Sequence, residues 1–109
     1  MVARHWRGWI RSEDAERYTA YVQETGIDEL VATPGNQGAQ IWLRPDGERT
    51  EIVVVSYWDS RDSIRAFAGD DIDVAHYYPE DEAFLVEREM HVTHYDVVSG
   101  VLEGENQLF

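Results

Sequence analysis

The chain has 109 residues, with 22 acidic side chains against nine basic ones and a formal net charge of −13. That length fits one domain with much of its surface uncovered, and a field of that sign repels nucleic acid and anionic membranes. Cysteine is absent, which excludes disulfides, thiol catalysis and cysteine–metal clusters.

Lysine is absent too, and every basic residue is arginine. The lysine deficit fits either a GC-rich genome or a salt-adapted cytoplasm, and the acidic excess leans towards the second; neither bears on catalysis. The longest apolar run, Ile52 to Val55, is far short of a membrane span. The first ten residues carry arginine and histidine without a long apolar core, so they do not read as a secretory signal. The cytoplasm is the expected compartment.

Val2 to Ile10 reads as a strand. Val2, Arg4, Trp6, Gly8 and Ile10 fall on one parity, and Ala3, His5, Arg7 and Trp9 on the other. Each face mixes aromatics with charge, so each is expected to be covered in part. Gly8 permits close approach of another group, or a bulge. Ser12 reads as the N-cap of a helix with Glu13 and Asp14 in its first turn. Ala15, Tyr18, Tyr21 and Val22 form its apolar stripe. Gly26 fits the residue just past its end, with Ile27 folding back on Val22.

Asp28 to Gly38 reads as a connection built around Pro34-Gly35-Asn36-Gln37-Gly38. Ala39 to Leu43 is the second strand, Arg44 to Glu48 a hairpin turn, and Thr50 to Trp58 the third strand. The third strand is apolar at both parities through Ile52 to Val55, which predicts burial on both faces. Helices from this chain cover one face, and a partner subunit is expected on the other.

Asp59 or Ser60 caps a helix that carries Ile64, Phe67 and Ala68 and stops at Gly69. Asp70 or Asp71 opens a second short helix. It has Ile72, Ala75 and His76 on one face and Val74, Tyr77 and Tyr78 on another, and it ends at Pro79. Pro79 to Glu82 is an acidic loop, and Phe84 to Val98 a long last strand. Residues 99–109 form a polar tail whose Val101, Leu102, Leu108 and Phe109 dock on a neighbour or fray. The order β-α-β-β-α-β predicts an α+β, ferredoxin-like domain over residues 1–98, with a four-stranded antiparallel sheet and helices on one face.

Three features together carry a family resemblance. They are the Arg/Trp-rich first strand, Pro34-Gly35-Asn36 with Gly38 before the second strand, and Ser56-Tyr57-Trp58-Asp59-Ser60 running into the Ile64, Phe67 helix, with His76 beyond. In these the chain resembles the antibiotic biosynthesis monooxygenase-like (ABM) family of dimeric α+β barrels. The resemblance implies a homodimer with two sheets face to face, and a pocket in each subunit between sheet and helices. Members include cofactor-independent oxygenases of polyketide quinols, haem-degrading monooxygenases, isomerases and proteins with no known reaction, so the fold alone does not fix the chemistry.

His76 is the sharpest candidate residue, because imidazole serves as a general base or a metal ligand. In the haem-degrading branch a histidine late in this segment ligates iron. That branch also has a tryptophan on the second helix and an asparagine on the first strand; here Phe67 holds the first place, and the first strand has no asparagine. Arg4 shares a strand face with Trp6 and could bind a carboxylate or stabilise an enolate-like oxyanion. An Arg–carboxylate pair is the plain alternative in so acidic a chain. In the family's quinol oxygenases a tryptophan near Trp58 lines the pocket, although a large aromatic at a strand end is commonly core. Phe67, Tyr77 and Tyr78 complete the expected lining.

His5 and Arg7, on the other face, are expected at the dimer interface. His91 and His94 point to opposite faces of a strand, whereas Glu87, Glu89 and His91 share one; no resident metal is expected. The leading expectation is a cofactor-independent monooxygenase of a small aromatic or polyketide-like molecule. Haem binding or degradation, and a non-enzymatic small-molecule-binding or structural dimer, are the alternatives.

Overall fold

The computed structural model describes residues 1–100. The interior alternation of the first strand places it at the centre: β1 (Val2–Arg11) pairs antiparallel with β3 (Arg49–Trp58) along its whole length, Val2 opposite Trp58 and Arg11 opposite Arg49. β2 (Asn36–Asp46) returns on the outer edge of β3 through the turn at Gly47 and Glu48. On the other side of β1 lie β4 (Leu85–Arg88) and β5 (Thr93–Asp96), both antiparallel to it. The order is β2-β3-β1-β4 with β5 also on β1. The sheet therefore has the ferredoxin-like α+β order, its last position shared end to end by two short strands.

The expected single strand from Phe84 to Val98 is interrupted because its middle pairs elsewhere. Met90 O accepts from Ala75 N–H at 3.0 Å, and Val92 N–H donates to Asp73 O at 2.8 Å. The same bonds explain why Asp70 to Tyr78 is not the short helix its spacing suggested. Its backbone is an extended strap bridged at Val74 and His91, opened by an Asx turn in which Asp73 N–H donates to Asp71 Oδ1 at 3.2 Å. The short helix falls later, at α4 (Asp81–Phe84), where a loop and strand start were expected.

The first helical region also differs. A 3-10 turn at Ser12–Asp14, α1 (Ala15–Val22), a π turn at Gln23–Ile27 and α2 (Asp28–Ala32) follow one another directly. Gly26 sits inside this run, and much of the expected connection is helix. Tertiary burial decides the matter: Ile27 and Leu30 extend the buried stripe begun by Tyr18 and Val22. Ser12 does not cap. Its hydroxyl donates to Gly47 O at 2.8 Å and ties the helix entry to the hairpin.

α3 (Arg61–Ala68) behaves as read: Ser60 Oγ accepts from Ser63 N–H at 3.3 Å, and Gly69 closes the helix at φ 85°. The Pro34-Gly35 turn docks on its start. Gly35 has φ 91°, and a Cβ there would lie 2.2 Å from Ser63 Oγ, so only glycine fits without displacement.

The helices cover one sheet face, where Ile10, Ile52, Trp58 and Ile64 are fully buried. On the other face Val53 and Val55 are also buried, each flanked by larger cross-strand neighbours, Arg7 and Trp42 beside Val53, His5 and Gln40 beside Val55. The doubly buried strand thus needs no second chain to cover its valines. The large aromatics that this face leaves to solvent are Trp42 and Tyr95, 46% and 55% exposed. No helix among the described residues is long and apolar enough to cross a membrane. The tail residues Val101, Leu102, Leu108 and Phe109 lie outside the described residues.

Candidate functional site

The parity of β1 turns Arg4 and Trp6 towards the helices, and the strap carries Ala75 to Tyr78 over them. Between them lies a cavity of about 260 Å³. Arg4, Trp6, Phe67, His76, Tyr77 and Tyr78, all expected from the sequence, line it. Trp58 does not. It is fully buried, its indole N–H donates to Ser56 Oγ at 2.8 Å, and Phe67 packs against it at 6.2 Å between centroids. It supports the cavity wall from behind.

Trp6 is fixed by two features. Its indole N–H donates to Tyr77 Oη at 2.6 Å, and its ring covers Gly8, where a Cβ would lie 2.8 Å from ring carbons. Gly8 therefore serves close approach, and the β1–β4 register slips just beyond it. Tyr77 donates in turn to Glu89 O, and Arg88 lies 4.2 Å over its ring. Burial raises the Tyr77 phenol, with the Trp6 bond and Arg88 acting against it. This phenol is a structural donor at neutral pH.

The lining also includes residues that the sequence did not single out as functional. Tyr18, read as core, donates to Asp81 Oδ1 at 2.9 Å, and Asp81 Oδ2 accepts from Tyr78 N–H at 2.7 Å. Burial and then Asp81 push the Tyr18 phenol far up, so it stays protonated. Thr25 and Gly26, both in the π turn, also line the cavity, and π turns recur at functional sites. A helix pattern of period 3.6 carries no sign of such a turn.

Arg4 is 7% exposed. Its Nη1 donates to Ile72 O and faces His94 Nε2 at 3.1 Å. Among the described residues no carboxylate touches it, and none accepts from its Nε or Nη2. The expected alternative of an Arg–carboxylate pair is thus not what the structure has. Burial pushes Arg4 down to about 10, with Asp73 pulling it back up, so it is charged at neutral pH.

His76 stands at the solvent-facing mouth, with Nε2 3.1 Å from Ala68 O. A carbonyl only accepts, so Nε2 carries the proton and Nδ1 keeps the lone pair. The acidic face expected at Glu87, Glu89 and His91 is broken with its strand. Glu87 pairs with Arg49 at 2.8 Å and Glu89 with Arg7 at 3.3 Å. Among the described residues no group of three such ligands converges.

An antiparallel sheet in ferredoxin-like order, with an aromatic cavity between it and its helices, defines a small α+β class. The family model for antibiotic biosynthesis monooxygenase matches residues 1–72, and the chain belongs to that family. Solved structures share the fold. An antibiotic-biosynthesis-monooxygenase-type protein of Nitrosomonas europaea has 14% identity and a TM-score of 0.66, covering 91% of this chain and 100% of its own. The haem degrader MhuD of Mycobacterium tuberculosis, with two haems bound in its active site, has 17% identity and a TM-score of 0.63, covering 93% and 99%. Rv0793 of the same organism has 20% identity and a TM-score of 0.61, covering 93% and 98%. A search of the curated proteins finds no match to this sequence.

Proposed function

We propose that the protein is a cofactor-independent monooxygenase of a small aromatic or polyketide-like substrate, working as a homodimer. The observation that carries this is Arg4: a buried guanidinium on the wall of an aromatic cavity, with N–H groups to which no described residue offers an acceptor. Such a group stabilises negative charge that develops on a bound ligand. The volume lies just under the ~300–1,000 Å³ of common ligand sites, which suits a small ring system.

In this reading His76 Nδ1 takes a proton from an acidic phenol or activated C–H at the mouth. The resulting oxyanion rests against Arg4. The electron-rich carbon, which bears a hydrogen, reduces dioxygen and forms a C–O bond, and protonated His76 returns its proton to the resulting peroxide. The hydroperoxide then loses water and leaves a carbonyl, so one oxygen atom enters the product and the other leaves as water. Trp6, Phe67 and Tyr78 hold the ring plane. The homodimer would join the faces bearing His5, Arg7, Trp42 and Tyr95.

Haem is the second reading, favoured by the likeness to MhuD. The residues as arranged do not fit it well. His76 Nε2 is engaged on Ala68 O, and a tetrapyrrole exceeds the cavity. The test is His76→Ala on a substrate found by screening quinols and phenols for oxygen uptake. Turnover should fall about a hundredfold or more, and unchanged turnover removes His76 as the base. A haemin titration with a Soret shift that His76→Ala abolishes would instead support the haem reading.

A further inference from the structure

Arg4 Nη1 carries two N–H groups. One goes to Ile72 O and the other meets His94 Nε2. A guanidinium cannot accept, so Nε2 is the acceptor and the imidazole proton sits on Nδ1. Asp73 Oδ1, 3.0 Å from that Nδ1, receives it. The order Arg4–His94–Asp73 is thereby fixed in both direction and tautomer. The His94 side chain is only 5% exposed, while that of Asp73 is 68% exposed.

The arrangement has an electrostatic consequence. Asp73 in direct contact would neutralise Arg4, and the cavity would face a closed ion pair. With a neutral imidazole between them, the cation keeps most of its attraction for a ligand. The other charged groups nearby are held by partners other than Arg4. Arg61, behind His94, pairs with Asp96 at 2.9 Å. Of the carboxylates lining the cavity, Asp81 accepts from Tyr18 and Tyr78, and Glu29 faces the Tyr78 hydroxyl at 3.4 Å. Burial first, and the Arg4 charge second, hold the His94 imidazole below its ordinary value, which keeps it an acceptor at neutral pH.

We infer that His94 and Asp73 are positioning residues that keep Arg4 an uncompensated cation, so that the cavity selects aromatic ligands bearing an anionic group over their neutral counterparts. This rests on the reading of the cavity as the substrate site. It adds to that reading the ligand's charge and two residues outside the cavity lining.

The test compares 2-naphthoate with neutral naphthalene-2-methanol by calorimetry, on the full chain at fixed pH and salt. Wild type should prefer the anion by roughly tenfold or more, the scale of a charge-assisted hydrogen bond. Arg4→Gln should lose that preference. His94→Gln, which retains an acceptor, should keep it. His94→Glu, which brings a carboxylate onto Arg4, should lose it while the protein stays folded by circular dichroism.

Equal binding of the two probes by wild type, or full preference in folded His94→Glu, overturns the inference and leaves the cavity as a site. Binding of neither probe removes the site reading and the inference with it. If His94→Glu does not fold, the nitrogen-15 spectrum of wild-type His94 decides: Nδ1–H supports the arrangement, and Nε2–H overturns it.

Discussion

Asp81 holds two donors at once, the Tyr18 hydroxyl and the Tyr78 amide, from a position 7% exposed. Removing its carboxylate leaves both without an acceptor beside the cavity, and an orphaned buried donor costs about 1–3 kcal/mol. Asp81→Ala should therefore lose at least that much stability in urea unfolding, and Asp81→Asn, which keeps an acceptor oxygen, should lose less. Equal stability of Asp81→Ala and wild type would mean that water replaces the carboxylate freely. Nothing marked this residue in the sequence, because it is one of 22 acids and its partner Tyr18 lies 63 positions away. Arg4 and Trp6 were legible for the opposite reason: strand parity alone puts them on one face. His94 was readable only as a failed metal ligand, since its partners Arg4 and Asp73 are 90 and 21 positions distant.

Among the elements, the helical run from Ala15 to Ala32 carries a prediction at Gly26. Its φ is not positive, and a Cβ there would lie 3.6 Å from Val22 Cγ1, an ordinary contact. Gly26→Ala should therefore stabilise the protein by about 0.5–1 kcal/mol, by relieving the helical cost of glycine. A lowered melting temperature would show instead that the π turn needs glycine. The misreading of Gly26 as a stop has a physical source: glycine permits a left-handed end but does not compel one, and burial of Ile27 and Leu30 favours continuation. The strap from Asp70 to Tyr78 failed as a helix in the same way. Its apolar spacing fitted a helix, but Asp71 offers a competing turn, and the backbone bonds to Met90 and Val92 come from a part of the chain that no local pattern can see. His76, Tyr77 and Tyr78 still reach the cavity, because the extended strap passes over Arg4 and Trp6.

For the whole molecule, the paired-ion face with Trp42 and Tyr95 exposed is where a second copy would bury apolar surface that one chain leaves wet. Light scattering at micromolar concentration should give the mass of two chains, and Trp42→Glu should give one. A monomeric wild type contradicts the homodimer and leaves the cavity unaffected. The sheet order, the hairpin and the capped third helix were all legible because alternation and turn residues act locally. The split last strand was not, because its interruption is decided by the strap.

The roles proposed for Arg4 and His76 depend on ligand binding in the cavity, and the four tryptophans report on it separately. Trp6 lines the cavity, Trp58 lies behind its wall, and Trp9 and Trp42 sit on the opposite sheet face. The decisive measurement is the indole N–H region of a proton–nitrogen correlation spectrum during titration with 2-naphthoate. Binding in the cavity should give a saturable shift of the Trp6 resonance, with Trp9 and Trp42 unmoved. A Trp6 signal that stays in place, or shifts confined to Trp9 and Trp42, would contradict it.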